Sequence, residues 1–202
     1  MKLPFLKKSE PKDIFCQLFP NYKPIDFLDT ISTRRTVRDY NLDAVPVNHS
    51  TIINEIAELA LATTPSGKNQ NARILRIVED SAKLQELSEA HKWGKYIGKS
   101  FGGILISSDK NLVDDDLLKY RYDLQDAAAL TMNTLNISRA YGLGSSWVGL
   151  LEYQDLVKKL FDLRETEEAV AFIPFGVPRD LSAFSSSLDK TLPRVKKYIS
   201  KI

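Results

Sequence analysis

Residues 117–151 constrain the fold more than any other stretch of the sequence. Apolar and small side chains recur at helical spacing over residues 117–141, which predicts the longest helix of the chain. Three consecutive alanines at 127–129 favour close packing of this helix against another one. Gly142 stands where a left-handed residue ends a helix, and residues 145–151 have the pattern of a strand that follows directly.

The glycines at 142 and 144 do not form a dinucleotide-binding fingerprint. In a G-x-G-x-x-G motif the glycines follow a strand and open a helix. Here they close a helix and open a strand. The sequence therefore argues against a Rossmann fold.

The remaining pattern predicts an α+β domain. Helices outnumber strands and do not alternate strictly with them, which favours a mainly antiparallel or mixed sheet with helices packed over it. Besides the long helix, we predict helices over residues 13–19, 25–31, 51–62, 81–91 and 153–161. Strands are predicted over residues 74–78, 103–107, 145–151 and 169–175. The second of these strands carries no charge, so we expect it to be central.

Length and composition fit one domain with arms. A chain of 202 residues is long enough for a proper core, and 43% hydrophobic with 27% charged residues is ordinary for a globular protein. Four prolines within residues 1–24 predict an N-terminal arm. A single domain that includes a C-terminal arm is expected over residues 25–202.

The charge balance and the single cysteine exclude several classes. A net charge of +2 gives no electrostatic reason to expect a nucleic-acid partner. Cys16 has no second cysteine with which to form an internal disulfide. No apolar run reaches the ~18 residues of a membrane span, and the N-terminus lacks the pattern of a signal peptide. We therefore expect a cytoplasmic protein with neither a nucleic-acid nor a membrane partner.

An arginine-rich segment is the first candidate for function. Arg34, Arg35 and Arg38 place three guanidinium groups in five positions, with the hydroxyl of Thr36 between them. Arg34 and Arg38 share a face in a helix and in a strand, and Thr36 joins them if the backbone is extended. Such a fork of donors suits a phosphate monoester. The alternative is a set of solvated charges after a helix C-terminus, where the helix dipole favours cations.

Two further segments supply small side chains and backbone amides that a flat, polar-edged ligand can approach closely. They read P-S-G-K-N at residues 65–69 and Y-G-L-G-S-S-W-V-G at residues 141–149. Each also fits a simpler description, as a polar loop and as a helix-to-strand turn with a core tryptophan. Neither histidine has a metal-like neighbour, and no nucleophilic serine or carboxylate pair suggests a hydrolase.

These three segments, in this order and at about this spacing, resemble the nitroreductase family of FMN-dependent oxidoreductases. The resemblance covers about residues 27–194. Residues 32–40 are similar to the family's S-R-R-S-x-R-x-F segment, and residues 142–149 to its G-L-G-s-x-W-x-G segment. The family's P-S-x-x-N-x-Q-P-W loop matches at Pro65, Ser66 and Asn69. It departs over residues 71–73, where Asn, Ala and Arg replace glutamine, proline and an aromatic.

The resemblance implies a nitroreductase-like fold: a mainly antiparallel or mixed sheet flanked by helices, in a homodimer with interlocked arms that holds FMN at its interface. It implies that Arg34, Arg35, Thr36 and Arg38 lie at the phosphate, ribityl and pyrimidine side of FMN. The backbone of Ser146, Trp147 and Val148 would cover one flavin face, with the amide of Gly149 at N5. Pro65, Ser66 and Asn69 would reach the flavin bound mainly by the partner subunit. Lys190 and Arg194 are the candidates for closing on the phosphate.

The activity implied by the resemblance is reduction of nitroaromatic, quinone or similar small acceptors by NADH or NADPH, in a ping-pong hydride transfer. The flavin carries the chemistry, so no catalytic acid or base is expected, and Arg38 and Gly149 act in support. The altered loop at residues 71–73 keeps other functions open. They are a non-catalytic flavin-binding protein and a family member with a different reaction, such as flavin fragmentation or dehydrogenation. A plain interaction module is a further alternative.

Overall fold

The computed structural model describes residues 26–69 and 72–184. The strands are β1 (Arg73–Val78), β2 (Gly102–Asp109), β3 (Gly144–Ser145), β4 (Val148–Gly149) and β5 (Glu167–Gly176). The helices are α1 (Phe27–Thr33), α2 (His49–Thr63), α3 (Ser81–Ala90), α4 (Asp115–Leu118), α5 (Tyr122–Ala140) and α6 (Gln154–Phe161). The predicted arm at residues 1–24, the predicted helix at 13–19, and Lys190 and Arg194 lie outside the described residues.

Within the described part of the chain, the five strands pair with one another in antiparallel fashion. The sheet order is β1-β2-β5, and β3 and β4 both pair with the remaining edge of β5. Every residue of β2 is buried, so the central position expected for the uncharged stretch at residues 103–107 is confirmed. Together with the helices, this sheet confirms the predicted α+β class.

Helices cover both faces of the sheet and create two cores. On one face α2 and α5 pack against Ile104 and Ile106 of β2. On the other face α3 and α6 pack against Leu105 of β2 and Phe172 of β5. Neighbouring residues of β2 enter opposite cores because the side chains of a strand alternate between its two faces.

The predicted helix over residues 117–141 is wrong at its start, where the structure has two helices. α4 ends at Leu118, and Arg121 adopts a left-handed conformation with φ 56° before α5 begins. The Arg121 guanidinium donates to Asp123 at 3.2 Å and to Glu168 of β5 at 2.9 Å. These bonds offset the roughly 1–2 kcal/mol that a left-handed residue costs. The predicted cap at the other end is confirmed, since Gly142 has φ 76°.

The strand predicted over residues 145–151 is also divided. Ser145 pairs with Phe175 and Val148 with Phe172, a register that places Pro174 opposite Ser146. Proline has no amide hydrogen, so the ladder loses a bond at this point. The edge strand therefore splits into β3 and β4. The remaining predicted elements within the described residues begin and end within two residues of their observed bounds.

None of the helices in residues 26–69 and 72–184 combines the length and the hydropathy needed to cross a membrane.

Candidate functional site

The arginine segment lies along the free edge of the sheet. The backbone is extended from Arg34 onward, with φ −59° and ψ 127° at that residue. Thr36 forms a parallel bridge with Ser145, and the Val37 amide donates to the Ser145 carbonyl at 2.9 Å. Val37 fits closely beside Gly144, where an added Cβ would lie 2.7 Å from a Val37 methyl carbon. The fold thus brings the first and third sequence motifs side by side.

Arg34 and Arg38 have no carboxylate partner among the residues that the structure describes. Arg34 is half-buried, and its pKa is lowered first by burial and then by the charge of Arg35. Arg38 is exposed, and its guanidinium lies over the ring of Tyr96, 5.6 Å from the centroid. Thr36 is exposed between them. Cationic groups without a carboxylate, beside an accessible hydroxyl, favour binding of an anion.

β4 presents the backbone of Gly149 at the same free edge. The Leu150 amide donates to the Val170 carbonyl at 3.1 Å. Neighbouring residues of an antiparallel strand point their amides and carbonyls to opposite sides, so those of Gly149 point away from β5. A Cβ added at Gly149 would meet no atom within 4 Å. The cleft beside this amide is therefore open to a ligand.

The three residues before Gly149 contribute in different ways. Trp147 is 41% exposed at the cleft, whereas Ser146 and Val148 are buried. The Ser146 hydroxyl donates to the Tyr96 hydroxyl at 2.9 Å. Val148 packs into the core beneath α3 and α6. The indole of Trp147 is thus the exposed side chain of the three.

The segment between α3 and β2 completes the cleft, although no sequence motif predicted it. The Nε2 atom of His91 lies 3.0 Å from the Gly149 carbonyl oxygen. Tyr96 contacts both Ser146 and Arg38, and Trp93 is 73% exposed beside them. His91 follows α3 as its C-cap, and no local pattern connects it with Gly149.

Two adjoining cavities lie along these segments. One has a volume of 460 Å³ and is lined by Arg38, Tyr96 and Val148 together with four residues that it shares with the other cavity. The shared residues are His91, Trp93, Trp147 and Gly149. The second cavity, of 570 Å³, extends to Leu124 and Ala128 on α5. Aromatic walls with a cation and backbone groups at the edge suit a flat ring with polar substituents.

The loop that carries the proline-serine-asparagine motif is anchored on α5, away from this cleft. The Ser66 hydroxyl donates to Asp126 at 2.6 Å, and the Gly67 amide donates to the same carboxylate at 3.0 Å. Leu124 and Ala128 mark the side of α5 that lines the cavity. Asp126 is two positions from each of them along the helix, so it points roughly 200° away from that side. Within one chain, α5 separates this loop from the cleft.

Arg73, where the resemblance has an aromatic residue, ties this loop to the start of β1. Its buried guanidinium donates to the carbonyls of Thr64 at 2.8 Å and Pro65 at 3.1 Å. Burial lowers the Arg73 pKa, and the charge of Asp126 opposes that shift. The departure from the family pattern therefore has a structural role. Asn71 and the side chain of Asn69 lie outside what the structure describes.

The part of the chain that the structure describes brings no three His, Cys, Asp or Glu side chains together as a metal ion would need.

Known proteins share this architecture. A family model described as "Nitroreductase family" matches residues 102–177. A protein of Archaeoglobus fulgidus, assigned as an NADH dehydrogenase/NAD(P)H nitroreductase, is 29% identical over 171 residues, which cover 82% of this chain and 93% of that protein. The crystal structure of a Bacteroides thetaiotaomicron protein with the same assignment matches with a TM-score of 0.73 at 24% identity, over 89% of this chain and 98% of that chain. This chain has the nitroreductase fold.

A second solved nitroreductase-fold protein bears on the cleft. The structure of an assigned nitroreductase from Desulfovibrio desulfuricans, in complex with FMN, matches with a TM-score of 0.66 at 23% identity, over 82% of this chain and 92% of that chain. These findings confirm the resemblance to the nitroreductase family. The family model spans the third sequence motif, whereas Arg34, Arg38 and His91 precede the matched residues.

Proposed function

We propose that this chain is an FMN-dependent oxidoreductase that uses NADH or NADPH to reduce small acceptors such as quinones and nitroaromatics. One observation carries the proposal: Arg38 and the outward-facing backbone of Gly149 line a single cleft, with Arg34 beside it on the same extended segment. The relative from Archaeoglobus fulgidus is assigned as an NAD(P)H nitroreductase, and the Desulfovibrio desulfuricans structure contains FMN. Both support the same activity and cofactor here.

The residues present fit FMN. Arg34 and Arg38 have no carboxylate partner in the described part of the chain, so their charges are available to the phosphate and the pyrimidine side. The space beside Gly149 admits a ring edge close to the backbone. A cavity of 460 Å³ falls within the range of small-molecule sites, roughly 300–1,000 Å³.

Each segment has a distinct task in this proposal. Arg34, Arg35 and Thr36 would bind the phosphate and ribityl groups, and Arg38 would place a positive charge beside the pyrimidine. Bound FMN would supply the hydride-transfer chemistry. The Gly149 amide would donate to the ring edge, and losing one such preorganised donor commonly costs about 3 kcal/mol in the barrier. The nicotinamide and then the acceptor would use the face that the β3–β4 backbone leaves open.

We further propose that the protein acts as a homodimer. Phe27, Leu28 and Ile31 of α1 are 69%, 67% and 42% exposed, and α1 packs on α5, where Met132 is 40% exposed. Exposed apolar side chains grouped on neighbouring helices favour a protein–protein contact at this surface. The loop at Ser66 lies across α5 from the cleft of its own chain. A second copy packed on α5 would bring that loop towards the other cleft.

Purified protein tests the proposal directly. We expect a yellow protein whose flavin is released on denaturation and runs as FMN in chromatography, and which oxidises NADH or NADPH with quinones or nitroaromatics. A colourless protein that takes up no added FMN would overturn the flavin assignment and favour an interaction module. Stoichiometric FMN without NADH or NADPH oxidation would instead favour a flavin-binding protein without turnover, or a different flavin reaction.

A further inference from the structure

His91 is buried where the two cavities meet. His91 is only 6% exposed, and its ring stacks on the ring of Tyr153 with centroids 4.3 Å apart and planes inclined by 29°. The backbone amide of His91 donates to the Leu87 carbonyl at 3.0 Å, which ends α3. The ring is therefore held in one orientation, and both of its nitrogens need partners there.

Those partners determine which nitrogen carries the proton. The Trp93 amide lies 3.2 Å from Nδ1. An amide N–H only donates, so Nδ1 accepts and carries no hydrogen. Nε2 then carries the proton and donates to the Gly149 carbonyl at 3.0 Å. The contact with the Trp93 amide therefore leaves Nε2 as the nitrogen that donates.

Gly149 is anchored on both sides of its strand. The Leu150 amide of the following peptide donates to the Val170 carbonyl of β5 at 3.1 Å, and the Gly149 carbonyl accepts from His91 on the free side. β4 contains two residues, and the ladder before it is interrupted opposite Pro174. Glycine has the widest backbone freedom of any residue, and no packed atom lies within 4 Å of its missing Cβ. The bond from His91 holds the carbonyl of Gly149 and so restricts rotation of the peptide that follows the exposed amide.

We propose that His91 is a positioning residue for the cleft. Through its Nε2 hydrogen it holds the Gly149 backbone in the orientation that presents the Gly149 amide to the ligand. The ligand part of this inference rests on the proposed function, with FMN as the ligand. The hydrogen bond and the tautomer are properties of the chain by itself.

The tautomer is measurable in protein without flavin. The chain contains two histidines, so labelling with ¹⁵N-histidine gives two ring spin systems, which His49→Gln assigns. We expect His91 to carry its proton on Nε2 at neutral pH. His49 provides the contrast, because its Nδ1 lies 2.9 Å from the Pro46 carbonyl and its Nε2 lies 3.4 Å from Glu79. A proton on Nδ1 of His91 would overturn the proposal.

Substitutions then separate the hydrogen bond from packing. His91→Gln retains an N–H donor at the distance of Nε2, whereas His91→Leu retains bulk and loses the donor. We expect His91→Leu to bind FMN about five- to tenfold more weakly, the worth of one net hydrogen bond, and His91→Gln to recover most of that loss. His49→Gln should bind FMN like the wild type.

Equal FMN affinity in the wild type and both His91 variants would overturn the positioning role. An equal loss in both variants would do the same, because it would point to packing alone. If His91→Leu fails to fold, the tautomer of the wild-type ring still decides the matter. If the wild type binds no FMN, the proposed function fails, while the tautomer measurement continues to test the bond between His91 and Gly149.

Discussion

Thr36 pairs with Ser145 in a parallel bridge, and this contact joins two motifs that lie far apart in the sequence. Ser145 follows the helix that ends at Gly142, and Thr36 stands between the guanidinium groups of Arg34 and Arg38. The bridge places the arginine segment next to an edge strand with outward-facing backbone. The candidate cleft exists because these two segments are neighbours.

Loss of the two arginines should weaken FMN binding. Each charge-assisted hydrogen bond contributes about 1.5–3 kcal/mol, so Arg34→Ala should lower the affinity by about one to two decades. The Arg34→Ala, Arg38→Ala double variant should lose bound flavin. Fluorescence titration with FMN measures the change. Arg179→Ala is the matched control, because Arg179 already pairs with Asp39 at 3.0 Å. Retained stoichiometric FMN in the double variant would contradict the assignment.

A side chain at Gly149 should impair the cleft without unfolding the chain. The Cβ of Gly149→Val has no atom within 4 Å, so we expect a folded protein with a similar melting temperature. The added methyl groups would hold a ring away from the amide. FMN binding should weaken, and NADH or NADPH oxidation should be at least roughly tenfold slower. Arg38→Ala should instead lower the reduction potential of the bound flavin, measured by equilibration with redox dyes. Wild-type turnover and flavin content in Gly149→Val would refute the proposed orientation of the ring.

Glu167 should make the protein sensitive to acid. Burial raises the pKa of this carboxyl, but hydrogen bonds from Arg76 at 2.6 Å, Arg164 at 2.8 Å and Ser107 at 3.0 Å outweigh burial and bring the pKa from 4.5 to about 2. Because the folded-state pKa is depressed, the stabilisation is complete above pH 4.5 and is lost as the pH falls towards 2. Its size is about 3 kcal/mol.

Urea unfolding of Glu167→Gln tests this assignment. We expect a loss of about 3 kcal/mol in the free energy of unfolding at neutral pH, since two arginines lose their shared carboxylate. The difference from the wild type should shrink as the pH falls from 4.5 towards 2, because the carboxyl takes up its proton near pH 4.5 in the unfolded chain and only near pH 2 in the folded one. Glu165→Gln is the control, with a side chain 93% exposed and an expected change under about 0.5 kcal/mol. A difference independent of pH would show that the charge of Glu167 is not the cause.

The apolar surface of α1 should control assembly. Replacing Phe27, Leu28 and Ile31 with serine should shift sedimentation from dimer to monomer and lower the flavin content with it. Leu112 and Leu181 are 49% and 73% exposed elsewhere, and their serine variants should remain dimeric. A wild-type monomer that holds FMN at micromolar concentration would refute the proposed dimer.

Local patterns were sufficient for most of the secondary structure. The hydrophobic period predicted α2, α3 and α6 to within two residues, and the absence of charge over residues 103–107 correctly predicted a central strand. The cap at Gly142 was also predicted, because a left-handed residue at a helix end is a local preference for glycine. These features depend on residues close together in the chain.

Contacts between distant residues decided the rest. The break at Arg121 depends on Glu168 in β5, and the division of the edge strand depends on Pro174 opposite Ser146. The arginine and glycine motifs were recognisable as chemistry, but only the pairing of Thr36 with Ser145 makes them one cleft. His91 carried no local signal, because its partner at Gly149 is reached only when the segment after α3 packs on the sheet edge. The sequence by itself determines the chemistry of each side chain, whereas the neighbours of that side chain depend on how the sheet and its helices pack.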